Sequence, residues 1–277
     1  MPTLTEGEFT VDYIDAGSGP AVLLVPSTAS GNRQWRALID AASGRFRLLA
    51  MNMFGYGETS PWPATRRQTL ADQASLGLAL ARRVDGPIAV VGHSFGGSVA
   101  MEIAIALGDR TRGLALFEPN PFHLLPAAGD LDGHAEGRRI RDIVKHYGGQ
   151  GDWMGVAQRF ADYWVGDGAW AAMPEHRRIA FASAIPPNFH EWDALYRETD
   201  DELVPAFDVP QLQRLACPVL VLRSENPRPA IVAIDTLLRR SCPHWLFGSV
   251  AAGGHMAPLT RPDLVNPVLL EFLERTR

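Results

Sequence analysis

Only two cysteines, Cys217 and Cys242, occur among the 277 residues. Neither stands near other cysteines or histidines at metal-ligand spacing, so neither a disulfide framework nor a cysteine-based metal site is supported, and no cofactor or metal is expected. Two reduced, buried thiols in a cytoplasmic protein are the expectation instead. Long apolar runs are missing too. A bilayer span needs roughly 20 consecutive apolar residues, and the short runs here exclude a membrane-spanning role. Residues 1–6 lack a basic start followed by an apolar stretch, so no signal peptide is expected. Lysine and arginine form no cluster, and a net charge of −5 is spread along the chain. Nucleic acid is therefore not an expected partner. No internal repeat or low-complexity tract is visible, and the sequence says nothing of oligomeric state.

What is present is ordinary globular composition, 46% hydrophobic and 21% charged, with length enough for one well-buried domain. Short apolar or β-branched runs at 21–25, 46–51, 87–91, 113–117, 218–222 and 245–247 alternate with helical patterns at 32–42, 70–84, 96–107, 229–240 and 262–274. That alternation predicts an α/β fold, a mainly parallel twisted sheet with helices on both faces. Residues 9–14, followed by Gly17-Ser18-Gly19-Pro20, read as an N-terminal hairpin leading into the first central strand. From Pro121 to Asp208 no strand-like run appears and aromatics become dense, among them Trp153, Trp164, Trp170 and Trp192. A structureless loop of that length is improbable inside a domain. The pattern predicts a helical lid at 121–208 inserted into a core formed by 1–120 and 209–277.

The strongest local signal is an apolar strand running into Gly92-His93-Ser94-Phe95-Gly96, then Gly97 and a helix rich in small residues. A serine on so sharp a turn is lifted clear of the sheet edge, and side chains at 92 and 96 would collide with strand and helix. Its place beside a helix N-terminus favours developing negative charge.

With this motif, the segment Pro26-Ser27-Thr28-Ala29-Ser30-Gly31 after the first parallel strand, and Asn52-Met53-Phe54-Gly55-Tyr56-Gly57-Glu58-Thr59-Ser60, the sequence resembles the α/β-hydrolase superfamily. The likeness covers nearly the whole chain outside the lid. The last segment is similar to the family's Asp-x-x-Gly-x-Gly-x-Ser turn, with Asn52 in place of aspartate. The resemblance implies Ser94 as nucleophile. It also implies that His255, in the Gly253-Gly254-His255 loop after the last strand, is the general base, the one of eight histidines at the family's position. His93 faces the other way by strand alternation, which suits a supporting role. The oxyanion hole implied by the family uses the backbone N–H groups of Phe95 and Thr28, and either Ser27 or Thr28 could add a hydroxyl contact.

The pattern departs from the family at the acid. The loop after 218–222 reads Arg223-Ser224-Glu225-Asn226-Pro227, without the usual aspartate. Glu118, at the end of the preceding strand, and Glu225 are the two candidates for the carboxylate that orients the histidine. Glu118-Pro119 followed by Phe122-His123 is similar to the Ser–Glu–His arrangement of zearalenone-lactonase-like hydrolases, and Glu118 is preferred. Aromatics over a catalytic edge form a dry pocket for a small hydrophobic substrate, with Trp192, Phe122, His123 and Trp164 as the candidate lining; lid-core packing is the commoner role for any one such residue, but some of the set should face the cleft.

The expected activity is hydrolysis of a carboxylic ester or lactone through an acyl-serine. The same residues could cleave a carbon–carbon, amide or thioester bond. A catalytically inactive small-molecule-binding protein is the reading from a different class, and the missing acid after 218–222 is its one support.

Overall fold

The computed structural model describes residues 2–196 and 207–277. Eight strands form one sheet in the order β1-β2-β4-β3-β5-β6-β7-β8. These are β1 (Thr3–Glu6), β2 (Phe9–Gly17), β3 (Ala21–Val25), β4 (Arg47–Met51), β5 (Ile88–His93), β6 (Thr111–Phe117), β7 (Val219–Ser224) and β8 (Leu246–Val250). From β4 through β8 in that order every pairing is parallel. The β1–β2 and β2–β4 pairings are antiparallel.

The central strands are apolar throughout because both faces of the sheet are covered, and successive side chains alternate between two cores. Leu23, Val25, Val90, Leu114 and Leu116 enter one core, while Val22, Leu24, Val91, Ala115 and Phe117 enter the other. Helices α1 (Arg36–Ala42), α2 (Leu70–Ala81) and α3 (Phe95–Leu107) connect the first parallel strands. Helix α2 starts where Thr69 and Asp72 form a reciprocal capping box. Between β6 and β7 the described residues form α4 (Leu131–Gly149), α5 (Trp153–Trp164), α6 (Ala169–Ala172), α7 (Glu175–Ala184), α8 (Asn188–Tyr196) and α9 (Val209–Gln213). Asp130 and Asp152 cap α4 and α5. Part of the lid expected at 121–208, residues 197–206, lies outside the described residues. Helices α10 (Pro229–Ser241), α11 (Ala257–Thr260) and α12 (Pro262–Arg275) complete the chain.

Two expectations change. The N-terminal hairpin pairs β1 with β2, and β2 then lies beside β4 rather than beside β3, which follows it in sequence. The Gly17–Gly19 link allows this because it presses on the chain entering β4. A Cβ on Gly17 would stand 2.3 Å from the Phe46 carbonyl oxygen, at a φ of +81°. The fifth and last strands also extend further than their apolar runs, through Gly92 and to Val250. Glycine does not end a strand whose backbone is bonded to its neighbour, as Gly92 is paired with Leu116 and Gly248 with Leu222.

Asn52 has a structural reason. Its Nδ2 donates to the Asp12 carboxylate at 2.9 Å, and its Oδ1 accepts from the Asn32 N–H at 2.7 Å. Asp12 is fully buried, so an aspartate at 52 would set two carboxylates against each other out of water. The departure from the family turn is matched by a carboxylate supplied from β2.

Candidate active site

Ser94 occupies the bend between β5 and α3 with φ 56° and ψ −124°. The bend explains the glycines on either side. A Cβ on Gly96 would lie 2.1 Å from the Pro26 carbonyl oxygen, and one on Gly92 would lie 2.4 Å from the Gly96 carbonyl oxygen. The Ser94 N–H is tied to the Phe117 carbonyl at 2.9 Å, which fixes the bend against β6.

Sheet order brings the remaining groups to the same carboxyl edge. Ser94 follows β5, Glu118 follows β6, Ser224 ends β7 and His255 lies beyond β8. His255 Nε2 lies 2.8 Å from Ser94 Oγ, and His255 Nδ1 lies 2.6 Å from Glu118 Oε2. The other carboxylate oxygen of Glu118 accepts from the Ser224 N–H at 2.7 Å and from the Ser224 hydroxyl at 2.5 Å. All three members of the chain are buried: Ser94 is 5% exposed, His255 6% and Glu118 1%. Burial pushes the Glu118 carboxyl upward, but the hydrogen bond and charge of His255 and the two bonds from Ser224 outweigh it, so its pKa lies below the ordinary carboxylate value. Glu225, the other candidate, is exposed.

Backbone strain gathers here. Among the described residues the non-glycine positions with positive φ are Ala29, Ser94 and Glu118. One lies in the loop after β3, and the other two are the candidate nucleophile and acid. Such conformations cost about 1–3 kcal/mol each and persist where surrounding contacts over-determine them.

In the loop after β3, Gln34 Oε1 accepts from the Ser27 N–H at 3.0 Å and from the Ser27 hydroxyl at 2.7 Å. The Ser27 hydroxyl is thus directed to Gln34, while the Thr28 hydroxyl donates to Glu191 at 2.5 Å. Phe95 is the first residue of α3, where backbone N–H groups lack intrahelical acceptors.

His93 is fully buried, with Nε2 2.8 Å from the His255 carbonyl oxygen and Nδ1 3.2 Å from Gln34 Oε1. It ties the His255 loop to the sheet edge. Burial first, and then the neighbouring His255, lower its pKa to about 3. An unfolded histidine titrates near 6.5. Below that pH the unfolded chain binds a proton that the folded chain refuses, so stability falls with falling pH, by about 1.4 kcal/mol per pH unit, until the folded pKa is reached. Urea unfolding of His93→Gln between about pH 6 and 4 should therefore show a shallower acid loss than the unsubstituted protein. Equal slopes would exclude this source of acid sensitivity.

The lid candidates separate in space. Trp164, at the end of α5, stacks on the His255 imidazole with ring centroids 4.0 Å apart and planes at 25°. Trp192 stacks on Phe122 at 6.3 Å, and both are buried. The Trp192 indole N–H donates to Asn188 Oδ1 at 2.8 Å. His123 bonds the Phe207 carbonyl through Nε2 at 2.9 Å and meets the Phe207 ring edge-on. A cavity of about 540 Å³, lined by Phe54, Trp62, Trp153, Pro187, Phe189 and His190 among others, opens between the turn after β4 and the helices of the insertion. Its lining does not include Ser94, Glu118 or His255.

Four polar residues of this region are not among the sequence candidates: Gln34, Asn188 and Ser224, which a reading for carboxylates and histidines passes over, and Glu191, a carboxylate with no local sign of its partners. Ser224 had a signal, since it sits where the family's acid loop begins. Among the described residues no group of three or more His, Cys, Asp or Glu is placed to hold a metal ion, and no helix is long and apolar enough to cross a membrane. Cys242 is buried and Cys217 half-buried; both are free, and burial raises each thiol to about 11.

Residues 22–268 match the alpha/beta hydrolase family, and the chain belongs to it. A curated relative is Lipase LipV of Mycobacterium tuberculosis (strain ATCC 25618 / H37Rv), 28% identical over 276 residues and covering 91% of this chain and 93% of that protein. Among solved structures, a thermophilic esterase from Thermogutta terrifontis superposes with a TM-score of 0.72 at 23% identity, covering 99% of this chain and 96% of that one. A hydrolase from Pseudomonas aeruginosa PA01 gives 0.75 at 21% identity, with 98% and 97% covered. The fold is that of a hydrolase family, with helices around a mostly parallel sheet.

Proposed function

We propose that the chain is a serine hydrolase cleaving a carboxylic ester or lactone of a small hydrophobic substrate through an acyl-serine intermediate. The observation that carries this reading is the buried relay from Ser94 Oγ through His255 to Glu118, at 2.8 and 2.6 Å. In the first step His255 Nε2 takes the Ser94 proton while Oγ attacks the carbonyl carbon. Charge gathers on the carbonyl oxygen, and the N–H groups of Phe95 and Thr28 receive it. His255⁺ then protonates the departing alkoxide. Water then attacks the acyl carbon as His255 takes its proton, and the acyl C–Oγ bond breaks as that proton passes to Ser94 Oγ, releasing the acid and restoring the serine. Glu118 stays ionised throughout, holding the imidazole with Nδ1 protonated and Nε2 facing the serine.

A helical cap at 121–208 over a core of 1–120 and 209–277 belongs to the same proposal, as does a cytoplasmic location. Trp164 over His255 supports an apolar, water-poor site. The ester-cleaving names of the lipase relative and the esterase neighbour favour esters.

A fluorophosphonate probe tests the nucleophile. It should label the protein in minutes, with the adduct mapping to the peptide that contains Ser94. A panel of p-nitrophenyl esters, lactones and amides then ranks the bond cleaved. A protein that neither labels nor turns over any member would be a binding protein on this fold.

A further inference from the structure

Glu191 is a fully buried carboxylate that the relay does not use. It sits on α8, in the helical insertion, and its partners come from three places in the chain. Thr28 of the β3 loop donates its hydroxyl to Oε2 at 2.5 Å, Tyr56 of the turn after β4 donates to Oε1 at 2.9 Å, and Asn188 donates to Oε2 at 2.9 Å. Asn188 in turn accepts from the Trp192 indole.

The β3 loop is strained at Ala29, where φ is 57°. Strain of this kind persists only where the surrounding structure over-determines it. On the core side Gln34 grips Ser27 by its N–H and hydroxyl. On the insertion side Glu191 grips Thr28. We propose that Glu191 is a positioning residue: by holding the Thr28 side chain it fixes the Thr28 N–H at the oxyanion site, so that the hole is complete only when α8 is docked on the core. This inference rests on the serine-hydrolase reading, with Thr28 as the second oxyanion donor.

The cause is geometric. A backbone donor stabilises the oxyanion only when it is aimed where the charge develops, and losing one costs about 10²–10³ in rate. A donor left in place but loosened should cost less, about 10- to 100-fold, and should act on kcat rather than on KM, because the interaction strengthens only in the transition state.

The experiment uses the full chain as Thr28→Val, Thr28→Ser, Glu191→Gln and the Thr28→Val/Glu191→Gln double variant. It reads kcat and KM on a p-nitrophenyl ester, the labelling rate at Ser94 with a fluorophosphonate, and thermal unfolding. Thr28→Val keeps the backbone N–H and removes only the tie. It and Glu191→Gln should each lower kcat and labelling rate by about 10- to 100-fold, with KM within about twofold. Thr28→Ser, which keeps the hydroxyl, should stay within about threefold of the unsubstituted protein, and the double variant should be no slower than the slower single. Multiplicative losses, or a lowered Tm with unchanged kcat, would overturn the proposal. If Glu191→Gln does not fold, the two Thr28 variants decide, and equal rates for valine and serine would overturn it. Failure of the unsubstituted protein to label or turn over would instead bring down the hydrolase reading, and this inference with it.

Discussion

Glu118→Gln should lower kcat by about 10³–10⁴-fold, while Glu225→Gln should leave it within about twofold. The magnitude follows from what glutamine must do in that socket. One Glu118 oxygen faces two Ser224 donors, the N–H and the hydroxyl, and the other faces His255 Nδ1. The Ser224 N–H is backbone and cannot turn away, so the amide oxygen is drawn toward it and the NH₂ toward the imidazole. His255 must then offer Nδ1 as an acceptor and carry its proton on Nε2, facing Ser94. In that tautomer it cannot take the serine proton, and the imidazolium formed later loses its counter-charge. Glu225 is exposed, so neutralising it removes only a solvated charge with little hold on the site. Steady-state kinetics with both variants, checked for folding by circular dichroism, distinguish the two acids. A collapse of kcat in Glu225→Gln with Glu118→Gln active would reverse the assignment.

The two-faced burial of the central strands makes the sheet legible from sequence. Continuous apolar runs such as Ala21–Val25 are needed only where helices cover both sides. The sharp bend at Ser94 is equally legible, because the constraints on Gly92 and Gly96 act within a few residues of it. The acid was different. The sequence offers both Glu118 and Glu225, and only the placing of β6 between β5 and β7 sets Glu118 beside Ser224 and within reach of His255. The partner of β2 was likewise hidden, since pairing across to β4 depends on how the Gly17–Gly19 link packs. Glu191 left no local trace at all. Thr28 and Tyr56, which accompany its burial, lie 163 and 135 positions away, so periodicity along α8 cannot announce it. The density of aromatics makes Trp164 a candidate for the substrate pocket, but its stacking on His255 depends on how α5 meets the loop after β8.

Ser94→Ala and His255→Ala should each lower kcat by about 10⁵–10⁶-fold, and the double variant should be no slower than either alone. Removing the serine leaves the imidazole with no nucleophile to activate. Removing the imidazole leaves a hydroxyl that is scarcely ionised at neutral pH, so the second loss has nothing further to take away. Alanine at 94 has the same reluctance as serine to adopt φ 56°, so the bend, Phe95 and the Pro26 contact should survive and the comparison should read chemistry rather than folding. What remains in the variants, about 10³–10⁴ over water, would come from binding and the oxyanion donors. The Thr28→Val substitution should reduce that remainder too, because the donor still meets charge on the carbonyl oxygen when water itself attacks. Single-turnover rates on an activated ester, with each variant at concentrations well above substrate, give the measurement. Losses that multiply would mean that Ser94 and His255 act independently, and the 2.8 Å contact between them would then be packing rather than a proton path.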